Sequence, residues 1–148
     1  MSSESNVKSA RNTALNYLSR REHSRQELYL KLQQKQFSDE SIDIVLDRLS
    51  EENLQNDSRF AENYIRYRYQ KGFGPLKIRH ELQQRGVSAD VLERQMSVYS
   101  EQWPKLLNQQ RNKKFGQVIP TETKEKQKQQ RFLQNKGFSI DSVMRLFR

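Results

Sequence analysis

The chain is 148 residues long, and 27 Lys+Arg against 18 Asp+Glu give it a formal net charge of +9. Only 33% of it is hydrophobic and 30% is charged, against roughly 45–50% apolar content in an ordinary globular domain, which excludes one thick core and favours a thin, extended shape. There is no cysteine, so disulfides, a thiolate nucleophile and a zinc ribbon are excluded, and no run approaches the ~18 apolar residues of a membrane span.

The N-terminus, Met1 to Lys8, is polar and lacks the apolar stretch of a signal segment, so a cytoplasmic protein without membrane contact is expected. Residues 1–9 read as a flexible segment, followed by three repeats over 10–54, 55–100 and 101–148. The first repeat opens on a helix from about Val7 to Arg20. Ser24-Arg-Gln-Glu27 then fits a capping box, with serine and glutamate each satisfying the other's backbone N–H. Leu32-Gln-Gln-Lys-Gln-Phe37-Ser38 closes that second helix. Ser38, followed by Asp39 and Glu40, caps a third. Gln36 stands where a left-handed residue ends the second helix. A side chain there costs about 1 kcal/mol or forces another turn, so a less regular corner is expected.

The second repeat starts with a helix from about Ser58 to Gln70, capped by Asp57. Gly74-Pro75 begins the next helix, with proline at the first helical position. Leu82-Gln-Gln-Arg-Gly86-Val87-Ser88 reproduces the earlier segment 50 residues on, now with glycine at the left-handed position. The third repeat has a helix from about Trp103 to Phe115 and then Gly116–Thr123, with Pro120, the longest helix-free stretch. Leu133-Gln-Asn-Lys-Gly137-Phe138-Ser139 follows 51 residues after its second-repeat counterpart. In this register Ile42 pairs with Leu92 and Val143, and Leu46 with Met96 and Phe147. Leu28 pairs with Ile78 and fades to Gln129. One apolar stripe thus recurs at helical spacing. The fold class is all-α: an elongated tandem array of three-helix repeats, three units and about nine helices, each unit too small to bury its own face alone.

Catalytic chemistry is poorly provided for. His23 and His80 lie far apart, fit no metal-ligand spacing, and read as surface or cap residues. Most carboxylates sit at helix starts or three to four residues from a cation. Lys71-Gly72-Phe73-Gly74-Pro75 lacks phosphate-loop spacing and follows a helix, so it reads as a helix–helix corner. No catalytic residue, metal site or cofactor is expected, and the chain reads as a non-enzyme.

Charge is unevenly placed. Residues 10–54 carry 7 Lys+Arg against 8 Asp+Glu, net −1; residues 55–100 carry 8 against 5, net +3; residues 101–148 carry 11 against 4, net +7. A polyanionic partner for the later repeats is the simplest reading. On the helix after Asp57, Phe60, Tyr64 and Tyr67 share a face, of which Phe60 and Tyr64 read as core, with Arg59 and Arg66 beside it. Arg68 and Tyr69 fall off that stripe and are candidates for exposed contact, with Lys71, Lys77, Arg79 and Arg85 downstream. Lys113, Lys114, Lys124, Lys128 and Arg131 form a denser basic strip in the third repeat, the last three lined up along one helical side.

Arg21-Glu-His-Ser24-Arg-Gln-Glu27-Leu28, Asn56-Asp57-Ser58-Arg59-Phe60-Ala61, and Arg68-Tyr-Gln-Lys71-Gly72-Phe73-Gly74-Pro75 occur in that order. With Ile78-Arg79, Glu81-Leu82 and Arg85-Gly86-Val87, this series resembles the bacterial RecX family. The resemblance covers nearly the whole chain and is densest from about residue 20 to 90. It implies all-helical tandem three-helix repeats that lie along the groove of the RecA–DNA filament. It further implies inhibition of RecA: blocked filament extension, depressed ATP hydrolysis and strand exchange, and weaker direct binding of DNA. Arg59, Arg68, Lys71, Gly74, Arg79 and Arg85 carry over as family-typical positions. The implied partners are the RecA nucleoprotein filament and, weakly and non-specifically, single- and double-stranded DNA, met by a monomer. The competing reading is a stand-alone DNA- or RNA-binding protein that uses one three-helix unit like a helix-turn-helix.

Overall fold

The computed structural model describes residues 3–148, and among these the chain forms nine α-helices and no strand. Unit 1 contains α1 (Ser3–Arg20), α2 (Arg25–Gln34) and α3 (Asp39–Glu51). Unit 2 contains α4 (Asp57–Gln70), α5 (Pro75–Gln84) and α6 (Ala89–Ser97), and unit 3 contains α7 (Gln102–Phe115), α8 (Thr123–Asn135) and α9 (Ile140–Leu146). The N-terminal helix starts at Ser3, four residues before the start near Val7 that the sequence predicts; residues 1 and 2 lie outside the described part. The early start has a packing reason: Val7 lies against the unit 1 core ahead of the fully buried Ala10 and Ala14, so the apolar face of α1 begins before residue 10.

The punctuation read from the sequence sets the corners. Ser24 and Glu27 form the expected capping box. Ser38, Ser88 and Ser139 accept from the backbone N–H of Ser41, Val91 and Ser142. The cap of α4 is Asn56 rather than Asp57. Asp57 is the first helical residue, and its Oδ1 reaches back to accept from the Arg25 N–H (2.9 Å) and the Gln55 side chain (2.8 Å). Gly86 and Gly137 adopt φ 80° and 105°. Gln36 takes the same left-handed conformation at φ 68°. Its corner closes with the same bond as the other two: Phe37, Val87 and Phe138 each donate to the carbonyl five residues back, all at 3.2 Å. The first corner is therefore as regular as its counterparts, and Gln36 carries strain of about 1–2 kcal/mol instead of a different turn.

Each unit buries a core of its own, where the sequence reads each as too small to do so alone. Leu28, Leu32, Ile42, Val45, Leu46 and Leu49 fill unit 1; Phe60, Ala61, Ile65, Ile78, Leu82, Leu92 and Met96 fill unit 2; Leu106, Leu107, Leu133, Phe138, Val143 and Phe147 fill unit 3. At about 1.5–3 kcal/mol per large side chain, these small clusters hold each unit together. Where Leu28 and Ile78 stand, unit 3 buries Gln129, whose amide donates over a long 3.3 Å to Glu125. Trp103, packed on both cores, joins units 2 and 3.

The units meet end to end, at helix termini. The Ser24 hydroxyl, at the start of α2, donates to the carbonyl of Arg85 at the end of α5 (2.8 Å), and the Gln26 amide donates to Gln84 (2.7 Å). At the next seam the start of α5 meets the end of α8: the N–H groups of Gly74 and Leu76 donate to the carbonyls of Lys136 (2.7 Å) and Gly137 (2.9 Å). Gly74 is the second-unit counterpart of Ser24. A Cβ on it would stand 2.5 Å from the Gly137 carbonyl, so only glycine permits this backbone-to-backbone approach. Helices α8, α5 and α2 thus follow one another with each carbonyl end against the next amide end, an arrangement their dipoles favour.

Candidate functional site

Four of the predicted contact arginines have acidic partners. Arg68 grips Glu81 with two bonds (2.9 and 2.8 Å), both side chains being less than one-fifth exposed, and lies 3.8 Å over the Phe73 ring. Arg59 donates to Glu22 (2.6 Å) and to the carbonyls of Asn53 and Leu54, clamping the link between units 1 and 2. Arg79 pairs with Glu93 across α5 and α6. Arg85 covers the Tyr64 ring at 4.8 Å and approaches Glu27 of unit 1 at 3.7 Å. Tyr69 packs with Tyr99 and Trp103 at ring distances of 5.2 and 5.6 Å. Arg68 and Tyr69 are therefore partly buried builders of unit 2 and not the exposed contacts the sequence suggests. Tyr67, placed on the core face by helical spacing, points outward at 57% exposure.

The lysines behave differently. Lys71, at the end of α4, faces Lys113 and Lys114 of α7 and Lys136 after α8 across a hollow of about 300 Å³ that Gln110 and Phe132 complete. Among the described residues, no carboxylate lines it. Lys77 and Lys136 approach the Phe73 ring at 5.0 and 4.5 Å, and Lys114 and Lys136 approach Phe132 at 5.6 and 5.9 Å. With Arg68, three cations thus share Phe73, where each cation–aromatic contact contributes about 0.5–2 kcal/mol. Burial, together with the charges of Lys77, Lys113 and Arg68, holds the Lys136 ammonium below the ordinary lysine value.

The remaining candidates are peripheral. Arg66 is exposed and bonded to Asn63 (2.8 Å). Lys124, Lys128 and Arg131 are exposed along α8. Sequence reasoning missed Lys136 and Phe73, which gain their roles only when the end of α8 docks on the start of α5. It also missed Arg111, buried in α7, which donates to the carbonyls of Gln117 (2.9 Å) and Val118 (3.3 Å) and so pins the connection before α8. An arginine little more than a turn before a long loop is the only sign of it in the sequence.

His23, read from the sequence as a surface or cap residue, is buried immediately before Ser24, the cap of α2. Its Nδ1 lies 3.0 Å from the Arg21 carbonyl and its Nε2 3.3 Å from Lys31 Nζ. These partners fix a neutral ring that donates from Nδ1 and accepts at Nε2. His80 is exposed. No helix among the described residues is long and apolar enough to cross a membrane.

Family models describing the first, second and third three-helix domains of RecX match residues 10–49, 56–94 and 101–147. Regulatory protein RecX of Pseudomonas savastanoi pv. phaseolicola is 40% identical over 136 residues, covering 92% of this chain and 88% of that protein. Its namesake from Pseudomonas putida is 39% identical over the same length, covering 92% and 87%. The crystal structure of RecX from Lactobacillus salivarius superposes with a TM-score of 0.84 at 24% identity, over 97% of this chain and 95% of that one, and so shares the fold. With all three units matched in order and the relatives covered nearly end to end, the chain belongs to the RecX family of regulatory proteins.

Proposed function

We propose that this protein modulates the RecA recombinase, mainly as an inhibitor. It lies in the groove of the RecA–DNA filament and suppresses ATP hydrolysis, filament extension and strand exchange. The observation that carries the reading is the end-to-end array: three family-matched units in a row, with a cluster of lysines, lined by no carboxylate among the described residues, where the second meets the third. Such an array touches successive subunits of a helical partner and gains avidity from several modest contacts. Its cations favour a groove beside phosphate. The role is one of binding, by a cytoplasmic monomer without a cofactor, and DNA alone is a weak, non-specific partner. Added to RecA on single-stranded DNA, the protein is expected to lower the rate of ATP hydrolysis as its concentration rises. A rate unchanged at severalfold molar excess over the filament overturns the proposal.

A further inference from the structure

The lysine hollow has a feature that a merely solvated surface does not need: its cations come from both sides of a joint. Lys71 belongs to unit 2, and Lys113, Lys114 and Lys136 belong to unit 3. Lys77 lies close enough to Lys136, as do Lys113 and Arg68, to oppose its charge. Glu81, on the same helix as Lys77, is taken by Arg68 and by the Tyr64 hydroxyl (3.0 Å). Like charges therefore face each other across the seam, which is held by the Gly74 and Leu76 amides on the end of α8 and by Tyr69 and the shared Trp103 packed on the unit 3 core.

An anion seated between the two groups of lysines would turn that repulsion into a bridge. The donors select its chemistry. Arg68, Arg79 and Arg85 of unit 2, whose planar forks take carboxylate or phosphate alike, already have acidic partners, and the hollow itself offers several lysines, point charges without a fixed fork that together suit the many oxygens of a phosphate chain. The size selects further. About 300 Å³ is at the small end of ligand sites and has no room for a duplex. The partly exposed Phe132 ring in its wall adds the aromatic surface that single-strand sites combine with basic grooves.

We propose that the hollow between units 2 and 3 binds the phosphodiester backbone of a single nucleic-acid strand, and that the bound strand clamps the two units together at the Gly74–Gly137 seam. Binding and clamping are one event, because the phosphates are held from both sides. The site needs only this chain and a bare strand, so it stands or falls separately from the action on RecA.

The test compares three proteins binding an oligothymidylate strand over a salt series: the parent, the triple variant Lys71→Gln/Lys113→Gln/Lys114→Gln, and the equally charged control Lys124→Gln/Lys128→Gln/Arg131→Gln. All six residues are exposed, so circular dichroism and thermal melting should match the parent. Every phosphate that a variant no longer neutralises lowers the slope of log affinity against log salt by about 0.7. The hollow variant should therefore have a slope shallower by about 2, and the control should change much less. Hydrogen exchange reads the clamp: the strand should slow exchange at the Gly74 and Leu76 amides in the parent and the control but not in the hollow variant, and leave the Arg25 amide at the other seam unchanged. An equal reduction of slope in both variants reduces the site to general charge and overturns it. Exchange at Gly74 and Leu76 that is indifferent to the strand overturns the clamp.

Discussion

Arg68 and Lys77 look interchangeable in the sequence, two cations of the second unit flanking the same glycine corner. The structure separates them. Arg68 is fixed by two bonds to Glu81 in a mostly buried pair, whereas Lys77 lies over the Phe73 ring. Arg68→Ala leaves Glu81 partly buried with one donor, a loss of about 1–3 kcal/mol. Lys77→Glu gives up one cation–aromatic contact but replaces the repulsion of Lys136 with an attraction, so it should change stability less than Arg68→Ala. Chemical denaturation of the two variants checks the difference, and equal midpoints would return Arg68 to the surface contacts.

His23 adds a pH dependence of known sign. Burial, with help from the charges of Arg21 and Lys31, holds its imidazole below the ordinary value of 6.5, against the opposing bond to the Arg21 carbonyl. Below about pH 6.5 the unfolded chain binds a proton that the folded protein refuses, so stability present above that pH is lost as the pH falls toward the folded value. Glu27 titrates in a lower window: burial pushes its carboxyl up, but Arg21 and the Ser24 N–H outweigh that and hold it below 4.5. The melting temperature should fall between about pH 7 and pH 5.5, and the fall should flatten in His23→Gln, with the loss from Glu27 still present at lower pH.

At the scale of helices, whatever is local was legible. Caps, corners and the apolar stripe depend on residues within one or two turns, and Ser24, Ser38, Ser88, Ser139, Gly86 and Gly137 act as their types and positions predict. Gln36 shows the limit of a local rule. The neighbouring helices hold the corner, so the residue bears a left-handed φ that it disfavours. A carboxylate before an apolar run suits a cap, which is why the sequence points to Asp57. Asn56 holds the place instead, and Asp57 serves the start of a helix in another unit. Helical spacing also does not distinguish Tyr67 from Tyr64, because the boundary of the buried face is set by the partner helix. The candidate site was legible only as composition. Which cations are free depends on where the carboxylates lie in space. Glu81 is 13 residues from Arg68 and Glu22 is 37 from Arg59, too far for helical spacing to pair them.

For the whole molecule, the seams matter more than the cores. Each joins the start of one helix to the glycine corner of the next unit, in the same sense both times. A contact that relates unlike faces head to tail does not close on itself and, if it can be repeated, makes a polymer. Two half-seams are left over at the ends of the array: the start of α8 at Glu122, which has no side-chain cap, and the exposed corner of unit 1 at Gln36. These are the two halves with which a second copy would add its third unit to the first unit of this one. At both internal seams, however, a Cβ on the corner glycine would run into the incoming helix, Gln26 in one case and Lys77 in the other. The terminal corner carries that Cβ. A second copy docking there would meet the Gln36 side chain where the internal seams have none. Gln36→Gly should raise stability by about 1 kcal/mol, read as a later midpoint in chemical denaturation, and a sedimentation coefficient that rises with concentration more steeply than the parent's would show that the Cβ hinders the contact.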